Sequence, residues 1–337
     1  MKHRPYEMRY KAIIILFLLG LLPIQSLAQA EKTEDSGTFS FYFENDTFFG
    51  TDRCFTGGWK LGWMSRSLKN YRENPLLKWL PFVNKPGFQH SVSLAIGQSI
   101  YTPNDISLDN LIQEDRPYAG ILFLAFGIHS ISSRRMDTLE INLGIIGPHS
   151  YAEQMQKFIH RLTNATRPEG WHNQLNDELA LEAVYERKWK LIQPQSEKGF
   201  GFDLIPHLGG GLGNVYIYAS TGIQMRFGWN LPGDFGTKII RPGGDSSVSF
   251  RRSGRFGVHF FASADGTALL RNIFLDGNTF QDSHRVDKRP FTMDISLGIG
   301  IRAGRFNFSY AYVFWTKRFK TETREQVFAS LNLSYSY

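Results

Sequence analysis

Phe39-Ser40-Phe41-Tyr42-Phe43-Glu44-Asn45-Asp46-Thr47-Phe48-Phe49-Gly50-Thr51-Asp52-Arg53-Cys54-Phe55-Thr56-Gly57-Gly58-Trp59 decides how this chain folds. Its front half alternates aromatic and polar residues, the period-two pattern of a strand with one apolar and one wet face. An adjacent amide and carboxylate, Asn45 and Asp46, close that strand. A Gly- and Asp-rich turn follows, and the chain returns as a second alternating strand. The stretch is one hairpin with reactive polar groups at its tip.

The other end of the chain repeats the pattern. In Phe328-Ala329-Ser330-Leu331-Asn332-Leu333-Ser334-Tyr335-Ser336-Tyr337, Leu331, Leu333, Tyr335 and Tyr337 share one face. Ser330, Asn332, Ser334 and Ser336 share the other. Apolar outside, small polar inside and an aromatic last residue describe the closing strand of an outer-membrane barrel, and fit a soluble sandwich less well. Aromatics make up 15% of the chain, yet its mean hydropathy is slightly negative. A barrel reconciles the two, because it needs no long apolar run.

Between these ends, alternating segments predict strands near 38–46, 55–66, 88–101, 118–132, 137–146, 178–192, 199–212, 215–229, 254–265, 291–303, 305–317 and 325–337. The fold expected is an all-β, transmembrane antiparallel barrel of about twelve strands, an even number as single-chain bacterial barrels have. Thr267 to Leu275 is assigned to a long loop, since a thirteenth strand would put the C-terminus on the wrong side. The stretches 67–85 and 239–254 read as connectors, the first with room for a short helix. Pro148 to Glu178 reads as an outer loop carrying a helix. Ser150 and Glu153 form a capping-box pattern there, followed by an apolar stripe of Met155, Phe158, Ile159 and Leu162.

Lys2, Arg4, Arg9 and Lys11 precede an apolar run from Ala12 to Leu22 that is too short to span a bilayer. Pro23 breaks it, and Ala28-Gln29-Ala30 fits a small-x-small cleavage site. Residues 1–30 are read as a secretory signal peptide and 31–337 as one barrel domain. No cysteine follows the run, so no lipoprotein anchor is expected; the single Cys54 excludes an intrachain disulfide. The formal charge of +7 falls to +4 once four basic residues and one acid leave with the signal. That mild excess suits an anionic lipid, and equally a solvated basic surface. No nucleic-acid motif stands behind it.

Alternate connections of a barrel lie on one side of the membrane. Starting from the periplasm, the first carries Asn45, Asp46 and Thr56, the third Asp115 and Arg116, and the fifth the helix with His160. All fall on the outer rim. Each has a bland reading: an Asx turn, strand chemistry, a rim ion pair, a surface histidine. Together they supply a base, an oxyanion donor and an oxygen-rich cation site. An imidazole takes a proton from water near neutral pH. An Asn amide, or a cation held by Asp46 and Asn45, stabilises a developing oxyanion. Such oxygen donors suit Ca²⁺. Neither an H-E-x-x-H zinc spacing nor a G-x-S-x-G elbow occurs.

Over essentially the whole mature chain the sequence resembles the lipid A 3′-O-deacylase family. The residues carrying the resemblance are Asn45-Asp46, Phe55-Thr56-Gly57-Gly58, Ile100-Tyr101-Thr102-Pro103, Asp115-Arg116, Ile146-Gly147-Pro148, and His160-Arg161 followed by Trp171 and Gln174. The resemblance implies a twelve-stranded outer-membrane barrel that hydrolyses the 3′-linked acyloxyacyl ester of lipid A at the outer leaflet with Ca²⁺. It implies active-site roles for Asn45, Asp46, Thr56 and His160, with His160 activating water. Partners implied are lipopolysaccharide and outer-membrane lipids, with the protein a monomer. Two departures stand out. Thr166 occupies the place of an acid six positions after the histidine, with Glu169 the nearest acid. No basic pair follows the Tyr-x-Pro element, where Asn104-Asp105-Ile106-Ser107-Leu108-Asp109 stands; Arg116, with Asp115, is the candidate replacement in binding substrate. The competing readings are another outer-membrane lipid esterase, a non-enzymatic barrel such as a pore, and a soluble periplasmic binding protein.

Overall fold

The computed structural model describes residues 36–46, 54–68, 87–194, 198–236 and 256–337. The signal-peptide segment, the 239–254 connector and most of 67–85 lie outside the described residues, as does the side chain of Cys54. Twelve strands run in chain order: β1 Thr38–Asn45, β2 Cys54–Met64, β3 Gln89–Thr102, β4 Ala119–Ile131, β5 Arg135–Ile146, β6 Glu178–Trp189, β7 Phe200–Gly213, β8 Tyr216–Trp229, β9 Phe256–Asn272, β10 Phe291–Ala303, β11 Phe306–Trp315 and β12 Gln326–Ser336. Each pairs antiparallel with its sequence neighbours, and β1 pairs with β12 from Thr38↔Ser336 to Asn45↔Ala329, so the sheet closes. Closure removes both edges, which is what lets strands sit in a bilayer.

Alternation sets what each face does. On the outer wall Leu124 is 60% and Phe260 65% exposed, while His129 and Glu140 on the inner face of β4 and β5 are 0% and 1%. Polar side chains line the inner face, several of them paired across strands. Ser40 bonds Ser334 across the closing seam at 3.0 Å. Ser330 donates to Glu44 at 2.7 Å. The imidazole of His129 lies between the Ser93 and Thr138 hydroxyls, at 2.9 and 3.0 Å. The terminal aromatic expected from the sequence is fastened: Trp63 donates its indole N–H to the Tyr337 hydroxyl at 2.8 Å.

The outer end of the lumen is closed by an apolar plug. The stretch from Thr267 is not a free loop: β9 runs on to Asn272, and helix α2, Ile273–Asp276, follows. The strand count stays even because β9 lengthens rather than gaining a neighbour. Thr267 to Ala268 find ladder partners on β10, and Leu269 on β8. Asn272 caps α2, accepting from the Phe274 N–H at 3.0 Å. Phe274 stacks on Tyr101 at 4.3 Å. Ile273, Phe274, Phe55, Trp315, Phe328, Leu175 and Ile146 share one buried cluster.

Helix α1 spans Ala152–Thr163 in the connection between β5 and β6, as the sequence predicts, but not with the predicted cap. Tyr151 is the N-cap residue and offers no side-chain bond. The Ser150 hydroxyl donates instead to the Gly147 carbonyl at 2.6 Å, within a 3-10 turn. The capping box is lost because that turn occupies the position the cap would need.

Candidate functional site

The candidate site lies on the outside of the barrel wall, at the end where β1 turns into β2. Strand parity fixes the side. Phe39, the exposed face of β1, shares parity with Asn45. Asn45 pairs with Gly57, and a Cβ there would fall 3.1 Å from the Asn45 amide nitrogen, so the amide lies over a glycine-made recess on the outer face. The bulge between Phe55 and Gly57 inserts Thr56 as an extra residue. Its hydroxyl meets that of Thr102 on β3 at 2.6 Å. Asp46 is fully buried, with its backbone nitrogen 3.5 Å from the Thr56 carbonyl. The structure thus brings Asn45, Asp46 and Thr56 to one corner.

From Thr102 the same face of β3 leads to α1. Leu94 and Ile96 face outward and are exposed, whereas Gln98, Ile100 and Thr102 on the same parity are buried. What covers them is the β5–β6 connection. Ile100 packs with Ala152, Tyr118, Trp171 and Ile106. Gln98 donates to the Ser150 carbonyl at 2.6 Å and accepts from Trp59 at 3.1 Å. Trp171 donates to Gln156 at 2.7 Å. Ala152, Gln156 and His160, four residues apart, form the buried face of α1. Phe158 and Leu162 are 50% and 68% exposed, so that part of the apolar stripe read from the sequence looks outward, whereas Met155 packs against the cluster on the wall.

His160 is buried, and its Nδ1 lies 2.5 Å from the backbone carbonyl of Thr166. A carbonyl only accepts, so Nδ1 carries the proton; Nε2 holds a lone pair whenever the ring is neutral. The position where an acid was missing therefore still orients the histidine, through its main chain. Gly120 makes the docking possible: a Cβ there would come within 2.1 Å of Ala152 Cβ and 2.4 Å of Ser150 Oγ. Gly120→Ala is expected to cost α1 about 1–3 kcal/mol of docking. Limited proteolysis within 147–177 should speed up roughly ten- to hundredfold while the barrel remains heat-modifiable on a gel. An unchanged cleavage rate would show that α1 does not rest on this contact.

Asp115 and Arg116 are not brought to this corner. The Asp115 carboxylate clamps its own loop, accepting from the N–H of Asn104 at 2.7 Å and of Arg116 at 2.8 Å. Arg116 turns inward over the Tyr101 ring, at 4.6 Å, on the lumen side of the wall. The stretch lacking basic residues is a turn in which Asp105 accepts from the Ser107 N–H and hydroxyl at 3.0 and 2.6 Å. Those bonds hold the Asp105 carboxyl below the usual carboxylate range. Gln98 is the residue sequence reasoning missed. A polar side chain between Ile96 and Ile100 on the outer face of β3 was the signal that something covers it.

For Ca²⁺, the corner offers oxygen donors of the hard-cation type, an amide and a carboxylate beside hydroxyls. Among the described residues no three His, Cys, Asp or Glu groups gather to hold a metal. The donor set fits a cation completed by water and main-chain oxygens, and does not fit a transition metal.

A family model described as "Outer membrane protein LpxR" matches residues 13–337. Among solved structures, LpxR from Salmonella typhimurium superposes with a TM-score of 0.73 at 17% identity, covering 88% of this chain and 99% of that one. The β domain of the Bordetella autotransporter BrkA covers 90% of this chain and 98% of its own, at 9% identity and a TM-score of 0.42. No curated protein matches in sequence.

Proposed function

This chain belongs to the outer membrane protein LpxR family, and on that premise we propose that it hydrolyses an ester-linked acyl group of lipid A, the 3′-acyloxyacyl group, at the outer leaflet. One observation carries the reading: His160 is held by the Thr166 carbonyl in the tautomer a base requires, on a helix docked against the lipid-facing wall. His160 Nε2 takes a proton from water, and that water attacks the ester carbonyl. The Asn45 amide donates to the oxyanion that forms. The proton on His160 then passes to the leaving alkoxide, releasing a free acid and an alcohol, with no covalent enzyme intermediate. Thr56, bonded to Thr102, fixes the hairpin that carries Asn45 and Asp46. The exposed Phe158 and Leu162 of α1 give acyl chains an apolar approach.

Asn45 and Asp46 would hold Ca²⁺, which when bound supplies electrostatic stabilisation of the oxyanion. Saturating Ca²⁺, at about a hundred times its dissociation constant, should stabilise the barrel by about 2.7 kcal/mol. That increment is measured as a shift in the urea midpoint in vesicles, and Asp46→Ala should abolish it. Equal midpoints with Ca²⁺ and with chelator would remove the cation from the site.

The test of function is the lipid A mass spectrum of a host with hexa-acylated lipid A that expresses the chain. Loss of one acyloxyacyl unit is expected. An unchanged spectrum with new lysophospholipid would transfer the same site to phospholipid. A pore is disfavoured by the plug of Ile273, Phe274 and Leu275 across the lumen.

A further inference from the structure

Beneath the α2 plug, on the inside of the wall, lies a cavity of about 110 Å³. It has no part in the chemistry above. Its unusual feature is Arg116, whose residue is 3% exposed and whose Nε–H donates no hydrogen bond. Among the described residues the Arg116 guanidinium forms no ion pair; it rests on the Tyr101 ring at 4.6 Å and lines the cavity. A cation so withdrawn from water costs free energy unless something answers its charge.

The acids of the same cavity are already engaged. Glu186 pairs with Lys188 at 3.2 Å and Asp265 with His207 at 3.1 Å. Asp294 pairs with Arg318. Hydroxyl groups line part of the walls beside the apolar Val184, Leu269, Leu275 and Trp315, among them Tyr216, whose hydroxyl lies 3.3 Å from that of Tyr101, and Thr267 opposite Thr292. An uncommitted guanidinium among hydroxyl donors is the chemistry that recognises an oxyanion. The volume admits one tetrahedral oxyanion with water, and no lipid.

We propose that the lumen cavity binds a small phosphate-class oxyanion through Arg116. The anion answers the buried guanidinium charge of Arg116. It would also brace the 103–118 loop, since Arg116 follows Asp115, the residue that clamps it. This site does not depend on the hydrolase reading, because it lies on the opposite face of the wall from His160.

The experiment titrates inorganic phosphate into the full-length folded barrel in a zwitterionic detergent, read by calorimetry. Saturable binding is expected in the wild type, weakened roughly ten- to hundredfold in Arg116→Met. Thr292→Trp, which fills the cavity and leaves the guanidinium in place, should abolish it, and serves if Arg116→Met fails to fold. His160→Ala should bind as the wild type does. Absence of saturable binding in the wild type, or wild-type binding in both cavity variants, overturns the proposal. Loss of phosphate binding in His160→Ala would place the anion at the outer rim and overturn it too.

Discussion

His160→Ala is expected to leave a folded, heat-modifiable barrel that cleaves its ester about 10²- to 10⁴-fold more slowly, the range a positioned general base supplies. The fall should lie in kcat rather than KM, because in the proposed mechanism the imidazole acts on water and not on substrate binding. Two further variants separate chemistry from support. His160→Gln keeps a polar side chain on the buried face of α1 but has no titrating nitrogen, and should be as inactive as alanine. Thr166→Ala should stay near wild type, because the partner of Nδ1 is a main-chain carbonyl that the substitution keeps. Assay against isolated lipid A in mixed micelles, across pH, decides it. A His160→Ala enzyme within threefold of wild type would remove the base from the mechanism.

The second large effect concerns stability. Arg226 is buried in the lumen, with Nε 2.9 Å from Asp203 and Nη1 on Asp234. Nη2 also donates to the Pro232 carbonyl at 3.1 Å. It thereby ties β7 and β8 to the 231–236 segment, whose Phe235 packs with Ile131 and Met136 at the periplasmic end. Arg226→Met removes the cation and leaves two buried carboxylates facing one another, a loss of about 3–5 kcal/mol at neutral pH. The pH dependence has a definite sign. Burial pushes the Asp234 carboxyl up, but the charge and hydrogen bonds of Arg226 outweigh that and hold it below its ordinary value. In the wild type this carboxylate therefore contributes stability above its unfolded pKa, and that contribution is lost as pH falls through the folded one. In Arg226→Met burial is opposed only by the weaker influence of Lys190 and His259, the carboxyl rises, and acid should narrow the gap to wild type. Urea midpoints in phosphocholine vesicles at neutral and mildly acidic pH measure both effects. A gap that widens in acid would contradict the assignment.

Strand order and closure were legible because a barrel wall tests every second residue against lipid. Tyr42 and Glu44 against Phe41 and Phe43, or Ser334 against Leu333, carry their facing in their polarity. Legibility failed where position depends on contacts between connections. Nothing local in Thr267 to Leu275 tells that β9 runs on before α2 turns into the lumen; the ladder partners on β8 and β10 decide it. The Ser150 cap was a sound local pattern overridden by the 3-10 turn that brings Ser150 under Gln98. Asp115-Arg116 sits at the rim in sequence, but whether the guanidinium turns outward or inward is set by the Tyr101 ring. The corner of Asn45, Asp46 and Thr56 was readable as adjacent across one hairpin. The Thr166 carbonyl that orients His160 was not, since a main-chain partner leaves no trace in residue identity.

The helix against the outer wall has a consequence for kinetics. A hydrolase working there opens sideways, into a leaflet, and meets substrate that never leaves the plane of the membrane. What governs its turnover is then areal density, the mole fraction of substrate among its neighbouring lipids, rather than bulk molarity. Diluting the surface with inert detergent at constant total substrate should slow such an enzyme. Diluting the whole suspension with buffer, at constant surface composition, should leave turnover per enzyme unchanged.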